Sequence, residues 1–363
     1  MKRRILFLKV AVSLGFIGLL AATLDMEELL SQARGADPVY LLACVLFSFL
    51  MVAASTWKWW YLLRKQGHPL PFRNLYRWYF IGYFYSNFVP SNVGGDVARA
   101  WLAGRRCGSG SAALISIFAE RFTGSLVLLA LALAMPFLPG GLWRHPAVWP
   151  VMLLALGLLA GAVALMAFGR AAARSAWLAR LAGRLRRVLH ADRPGRAQRA
   201  WDRAAGKVET LGAKAGQLLE VFRSDPRAAW VVLAQTVLFY LMTVVNVLLG
   251  YRAFGAWPDA GGIAAALPVA MLVGMIPITL GNLGIAEGAY VVYFGLTGMS
   301  RELTLAMGLL LRLKIILLGL VGMAVQAGER MDGLRRADSA TDESSPGAPS
   351  STLAPPKGGQ HDL

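Results

Sequence analysis

Long apolar runs separated by polar segments dominate the hydropathy pattern of the chain. A helix needs roughly 20 apolar residues to cross the hydrocarbon core of a bilayer. Six runs approach or exceed that length, at residues 5–22, 38–56, 112–138, 147–168, 228–250 and 303–325. The pattern predicts an all-α polytopic membrane protein with about six full transmembrane helices.

Two further apolar segments are too short or too interrupted to be ordinary spans. Residues 76–89 form a short run with basic residues on both sides, whereas Pro and Gly break residues 263–293. Because basic loops remain in the cytoplasm, the first segment is interpreted as a re-entrant hairpin over 72–104 that enters from the cytoplasm. The order of spans then requires residues 263–299 to form a second hairpin that enters from outside.

Charge placement predicts the orientation of the whole chain. Basic clusters at 2–4, 170–227 and 330–336 belong in the cytoplasm, whereas the acidic segment 25–37 suits the outside. Both termini are therefore expected to be cytoplasmic, with residues 5–22 acting as an uncleaved anchor. Two opposed hairpins are typical of an inverted-repeat transporter, whose site lies where the broken helices meet.

The chain divides into a membrane domain and two polar regions. Residues 1–336 are predicted to form the transmembrane domain, within which residues 170–227 form a basic, amphipathic cytoplasmic loop. That loop is interpreted as a pair of helices resting on anionic headgroups, with a separate binding module as the alternative. Residues 337–363 are rich in Ser, Pro, Gly and Asp, so they are expected to be a disordered tail.

Composition and charge narrow the classes of partner. The 363 residues are 56% hydrophobic and carry a formal charge of +17. Because the Lys and Arg residues lie in loops between apolar runs, anionic lipid explains them better than nucleic acid. The expected partners are a membrane lipid substrate, anionic headgroups and a second copy of the chain. The four histidines lie outside the apolar runs and no nucleotide motif is present, so no cofactor, metal or enzymatic activity is expected.

Ionisable side chains at membrane depth are costly, so their presence indicates function. In the first hairpin, Asp96 and Arg99 are three residues apart and would share a helix face after Gly94 and Gly95. A later span contains an adjacent acid and base at 120–121. Glu120 and Arg121 are interpreted as part of the same substrate site, with an internal ion pair between helices as the alternative.

The second hairpin carries a lone carboxylate among helix breakers. Gly281 and Gly284 precede Glu287, and the following span contains Arg312 and Lys314. A pairing of Glu287 with Arg312 or Lys314 is the preferred prediction. The alternative places Lys314 at the membrane interface and leaves Arg312 alone in the interior.

These motifs resemble the lysylphosphatidylglycerol synthase transmembrane-region family, the flippase-like domain of the bacterial multiple peptide resistance factor. The similarity rests on residues 86–99, which include Asn92, on 116–121 and on 276–288, and it extends over about residues 5–330. It implies a bacterial inner-membrane protein that moves a lipid between leaflets, with Asp96, Arg99 and Glu120 among the matched positions, together with Arg121 and Glu287. Because only a short polar tail follows, the synthase activity in the family name is not expected here.

Three functions therefore stay open at the level of sequence. The first is a lipid translocase in which Arg99, with Arg121 nearby, binds the lipid phosphate while Asp96 and Glu120 hold the two guanidinium groups. The second is a membrane enzyme that acts on lipid headgroups with Asp96 or Glu287 as base. The third is a non-catalytic partner of a glycosyltransferase or synthase. The aromatic residues at 57–61 and 76–85 are interpreted as an interfacial belt, with contact to the lipid headgroup as the alternative.

Overall fold

A computed structural model describes residues 26–88, 94–174, 225–276, 279 and 282–343. All long elements in these residues are α-helices, and no strand occurs among them: α1 Met26–Arg34, α2 Pro38–Lys65, α3 Phe72–Phe88, α4 Gly94–Cys107, α5 Gly110–Ala134, α6 Trp149–Arg174, α7 Pro226–Ala253, α8 Ala260–Gly274, α9 Ile285–Gly295 and α10 Arg301–Glu343. Short 3-10 helices at Met135–Phe137 and Leu142–Arg144 follow α5.

The chain is a multi-pass membrane protein. Four helices are long and apolar enough to cross a bilayer: Pro38–Lys65, Gly110–Phe137, Pro226–Ala253 and Arg301–Glu329. They correspond to four of the six predicted spans. The predicted span at 147–168 coincides with α6, whose apolar part Trp149–Ala164 is shorter, and the predicted span at 5–22 lies outside the described residues.

The polar regions overlap with helix ends. Helix α6 continues to Arg174 and α7 begins at Pro226, so most of the predicted cytoplasmic loop, residues 175–224, lies outside the described residues. Helix α10 extends to Glu343, several residues past the predicted start of the tail at 337. Residues 344–363 lie outside the described part.

Several helices begin at a polar side chain that accepts a hydrogen bond from the first turn, which offsets the unpaired N–H groups there. Asp37 accepts from Val39 N at 2.8 Å, and Ser109 accepts from Ala112 N at 3.3 Å. Asp225 accepts from Ala228 N and forms an ion pair with Lys65 that joins the ends of α2 and α7. The hydrogen bond from Lys65 lowers the pKa of the Asp225 carboxyl below its usual value.

Helices α3 and α4 form a tightly packed pair because glycine removes the side chains between them. A methyl group added at Gly95 would collide with the carbonyl oxygen of Gly82 and with Ser86 Oγ. On its other side, α3 lies against α10, where a methyl group at Gly322 would collide with the Phe80 carbonyl. These close contacts place α3 between α4 and α10.

Helices α8 and α9 are separated by an irregular break. Asn282 has φ 57° and Gly284 has φ 83°, a backbone region that favours glycine. Across the break, Gly274 of α8 lies beside Ala286 of α9, where an added methyl group would be 3.3 Å from Cα. The chain therefore folds back on itself in both of the segments that the sequence predicts to be interrupted.

Candidate functional site

A cavity of about 420 Å³ lies among six helices of the described chain. Residues from α2, α3, α4, α5, α7 and α8 line it. One part of its wall is charged and contains Lys58, Asp96, Arg99, Glu120 and Arg121. Another part is apolar and contains Val127, Leu128, Leu131, Phe239, Met271 and Met275. The cavity is therefore amphipathic, which matches the chemistry of a lipid.

The structure brings four of the predicted site residues into one ion-pair network. Arg99 donates from Nη2 to Asp96 Oδ1 at 2.7 Å and from Nη1 to Glu120 Oε2 at 3.1 Å. Arg121 donates from Nε to Asp96 Oδ2 at 3.0 Å and from Nη2 to Oδ1 at 2.8 Å. Asp96 thus binds both arginines, whereas Glu120 forms an ion pair only with Arg99 among the described residues. The network also joins α4 to α5, as the internal ion-pair alternative predicted.

Arg99 is enclosed by its partners. Its side chain is 2% exposed, and its guanidinium group lies 4.1 Å from the ring centre of Tyr79 and 5.0 Å from that of Trp59. Tyr79 in turn donates to Glu120 Oε1 at 2.5 Å, and Trp59 Nε1 donates to Ser116 Oγ at 3.0 Å. Arg99 is therefore held on several sides by carboxylates and aromatic faces.

Arg121 is the exposed residue of the ion-pair network. Its side chain is 61% exposed although it contributes to the cavity wall. A guanidinium group has five N–H donors, and the bonds to Asp96 use only part of them. Arg121 therefore combines unused donors with an exposed side chain in the cavity wall, whereas Arg99 is buried.

Sequence reasoning missed several polar residues of the wall, among them Lys58, Gln235 and Thr236. Lys58 donates to Thr236 Oγ1 at 2.7 Å and to the Glu120 carbonyl oxygen at 3.3 Å. Gln235 donates from Nε2 to the Ala54 carbonyl at 2.7 Å, while its Oε1 is buried without a partner among the described residues. The available signal for Lys58 was its position among the aromatic residues that directly follow the apolar run 38–56. The predicted span ended before Lys58, so the residue was not considered to lie in the membrane.

The belt interpretation of the aromatic residues is wrong for three of them. Trp59, Trp78 and Tyr79 are buried, and Trp59 and Tyr79 face Arg99. Burial follows from the close packing of α3 against its neighbours. In contrast, Trp57 is 40% exposed and remains compatible with an interfacial position.

Glu287 and Arg312 form a second, separate ion pair. Arg312 Nε donates to Glu287 Oε1, and Arg312 Nη2 donates to the Asn282 carbonyl at 3.3 Å. Glu287 also accepts from Gly284 N at 2.8 Å, which caps the start of α9. None of these residues lines the cavity. Of the two partners predicted for Glu287, the structure shows Arg312.

Lys314 lies apart from both ion-pair groups, between α2 and α7. It is 4% exposed, and its ammonium group contacts Asn246 Oδ1 and, at 3.2 Å, Cys44 Sγ. Lys314 therefore neither pairs with Glu287 nor reaches an interface. The alternative that placed it at the interface is wrong because α2 and α7 cover the side chain.

Four predicted site positions are glycine or asparagine residues next to the charged motifs, and two of them belong to the described chain. Gly95 lines the cavity, and Gly94 is the first residue of α4. Asn92 and Gly281 lie outside the described residues. No group of three or more His, Cys, Asp or Glu side chains that could hold a metal occurs in the described part of the chain.

An apolar helical bundle with a charged internal cavity defines a polytopic membrane protein with a polar site at its centre. Residues 6–322 match the family described as the lysylphosphatidylglycerol synthase TM region, and the chain belongs to that family. A relative described as "UPF0104 membrane protein" from Methanothermobacter thermautotrophicus is 24% identical over 308 residues, which cover 82% of this chain and 88% of the relative. The resemblance seen in the motifs is confirmed.

Proposed function

We propose that the chain is a lipid translocase, which moves a phospholipid or another lipid-linked anionic substrate between the leaflets of a bacterial inner membrane. The observation that carries the proposal is the amphipathic cavity, in which one wall is charged and another is apolar. A headgroup would contact the charged wall while the first part of an acyl chain would lie along the apolar wall. The family name, which refers to a lipid synthase, supports a role in lipid handling.

Arg121 is the proposed first contact for the phosphate. Arginine fits phosphate because its planar group offers parallel N–H donors, and Arg121 has donors that Asp96 does not use. The buried Arg99 then has an indirect role, because its hydrogen bond positions Asp96, which in turn binds Arg121. This division refines the sequence prediction, in which Arg99 was the main phosphate ligand.

The proposed topology has two re-entrant hairpins, α3 with α4 and α8 with α9. These helices contain 17, 14, 15 and 11 residues. At 1.5 Å per residue they span roughly 16 to 26 Å, less than the hydrocarbon core. The cavity wall includes α3, α4 and α8, so both hairpins contribute to it. This arrangement supports the inverted-repeat hypothesis. The proposed orientation, with both termini in the cytoplasm, rests on the placement of basic residues in the sequence.

An enzyme that acts on headgroups is the competing class. Its base would be Asp96 or Glu287, and each of these carboxylates already accepts hydrogen bonds from arginine. Ion pairing stabilises the ionised form and makes a carboxylate a weaker base. This contact pattern favours translocation over catalysis in our proposal.

Reconstitution of the full chain in liposomes tests the proposal. Acyl-labelled lipid in the inner leaflet is followed by quenching from outside, while total lipid composition is measured by mass spectrometry. We expect faster exchange between leaflets than in empty liposomes, no change in lipid mass, and a loss of the acceleration in Arg121→Gln. A change in lipid mass would support the enzyme, and folded protein without exchange would support a non-catalytic partner.

Cysteine labelling in intact cells tests the topology. In a chain carrying Cys107→Ser, we expect Gln198→Cys to be protected from an impermeant reagent and Arg252→Cys to react. Arg252 stacks on the exposed Trp257 at the end of α7, which suits an outer loop. Labelling of Gln198→Cys from outside would overturn the orientation and the opposed hairpins with it.

A further inference from the structure

The charged wall of the cavity carries one more cation than carboxylate. Among the described residues it contains three cations, Lys58, Arg99 and Arg121, and two carboxylates, Asp96 and Glu120. With each group in its usual charge state, three positive and two negative charges leave one positive charge. The cavity is therefore not electrically neutral without a ligand.

The surplus charge lies at Lys58. Both arginines form ion pairs with carboxylates, whereas no ion pair in the described part of the chain includes Lys58. Its ammonium group instead contacts two neutral oxygens, Thr236 Oγ1 and the carbonyl of Glu120. The residue is 5% exposed, so water screens the charge poorly.

A buried charge without a direct ion-pair partner is unfavourable, and an anion in the cavity would relieve that cost. An ammonium group has three N–H donors, of which the two neutral oxygens take two. Lys58 and Arg121 belong to the same cavity wall and both retain donors. The two side chains can therefore share one anionic group between α2 and α5.

We propose that Lys58 sets the headgroup preference of the cavity, so that the substrate is a phospholipid with one net negative charge. A phosphodiester headgroup supplies the single negative charge that neutralises the wall. A zwitterionic headgroup adds an ammonium group that Lys58 and Arg121 repel, which disfavours it. This inference rests on the proposed translocation of lipid through the cavity.

The experiment compares two lipids with identical labelled acyl chains, phosphatidylglycerol and phosphatidylcholine, in liposomes containing the full chain. Lys58→Met removes the charge at similar length, and Lys58→Arg keeps it. Lys65→Met is the matched control, because Lys65 is on the same helix and forms an exposed ion pair outside the cavity.

We expect wild type, Lys58→Arg and Lys65→Met to prefer phosphatidylglycerol by about tenfold or more, the effect of about 1.4 kcal/mol. Lys58→Met should lower this ratio about tenfold while phosphatidylcholine exchange stays the same or rises. An unchanged ratio in Lys58→Met, or equal rates for both lipids in wild type, would overturn the assignment and leave translocation standing.

A binding measurement separates this inference from the proposed function. Thermal unfolding of the detergent-purified chain is followed with short-chain phosphatidylglycerol or phosphatidylcholine added. We expect phosphatidylglycerol to raise the melting temperature of wild type and Lys65→Met, but not that of Lys58→Met. If wild type moves neither lipid, translocation of these phospholipids is wrong, and the binding preference still decides the role of Lys58. The absence of a wild-type binding preference would overturn that role.

Discussion

Arg121 and Asp96 are joined by two hydrogen bonds, from Nε to Oδ2 at 3.0 Å and from Nη2 to Oδ1 at 2.8 Å. The same Oδ1 accepts a third bond from Arg99 at 2.7 Å. One carboxylate therefore holds two guanidinium groups in different environments, one buried and one open to the cavity. The two arginines should respond differently to the same substitution.

Arg121→Lys should impair transport while the protein folds normally. Lysine keeps the positive charge but loses the planar fork that fits phosphate and carboxylate. Because the side chain is 61% exposed, we expect a melting temperature close to that of wild type and exchange of lipid reduced about tenfold or more, a change of about 1.4 kcal/mol. Arg144→Lys, at an exposed arginine outside the cavity, is the control. Wild-type exchange by Arg121→Lys would disprove the phosphate contact.

Arg99→Lys should destabilise the fold as well as impair transport. The guanidinium group binds two carboxylates and packs on Tyr79, a set of contacts that one ammonium group cannot replace. We expect a loss of roughly 1 to 3 kcal/mol in the free energy of unfolding, measured by thermal or chemical unfolding in detergent. Equal stability of Arg99→Lys and Arg121→Lys would contradict the proposed division of roles.

Tyr79→Phe should weaken the network through Glu120. The hydroxyl group donates to Glu120 Oε1 at 2.5 Å in a buried setting. Leaving that oxygen without a donor costs roughly 1 to 3 kcal/mol, which unfolding in detergent would detect. Tyr83→Phe is the matched control on the same helix, since the Tyr83 hydroxyl has no hydrogen-bond partner among the described residues. A similar effect of both substitutions would argue against a specific contribution from the Tyr79 hydroxyl.

Gly95→Ala should prevent the close packing of α3 on α4. The added methyl group would meet the backbone oxygen of Gly82, and backbone cannot move aside as a flexible side chain can. We expect little folded protein by size-exclusion chromatography. Gly157→Ala is the control, because its methyl group would meet nothing within 4 Å. Normal yield and stability of Gly95→Ala would show that this contact is looser than described.

Glu287→Gln should destabilise the link between α9 and α10 without changing headgroup preference. The substitution leaves Arg312 without its carboxylate, and breaking a buried ion pair typically costs about 3 to 5 kcal/mol, an upper bound here because Arg312 is partly exposed. Replacing both residues, as in Glu287→Gln with Arg312→Gln, should restore part of the stability. Since neither residue lines the cavity, a changed ratio of lipids in the liposome assay would contradict this placement.

Local spacing made one part of the site predictable. Asp96 and Arg99 are three residues apart, and a helix of 3.6 residues per turn brings them together regardless of the rest of the fold. The adjacent Glu120 and Arg121 could be selected because charge is rare in an apolar run. The sequence motifs also identified the family.

Contacts between distant helices could not be predicted in the same way. Lys58 meets Thr236 across 178 positions in the chain, and Lys314 meets Asn246 across 68. Such contacts depend on which helices are neighbours and on how each is rotated, and a single sequence contains no local signal for either. Our proposal divides the roles of Arg99 and Arg121 differently from the sequence prediction for the same reason, because burial follows from packing.

Helix α10 makes contact with both broken segments. Arg312 binds Glu287 of α9, and the carbonyl of Ile315 accepts from Asn87 Nδ2 of α3 at 2.8 Å. These two points are about 5 Å apart along one continuous helix. An α-helix is rigid over that distance, so a tilt of α10 would displace α3 and α9 together. The motions of α3 and α9 are therefore coupled through α10 while both contacts last.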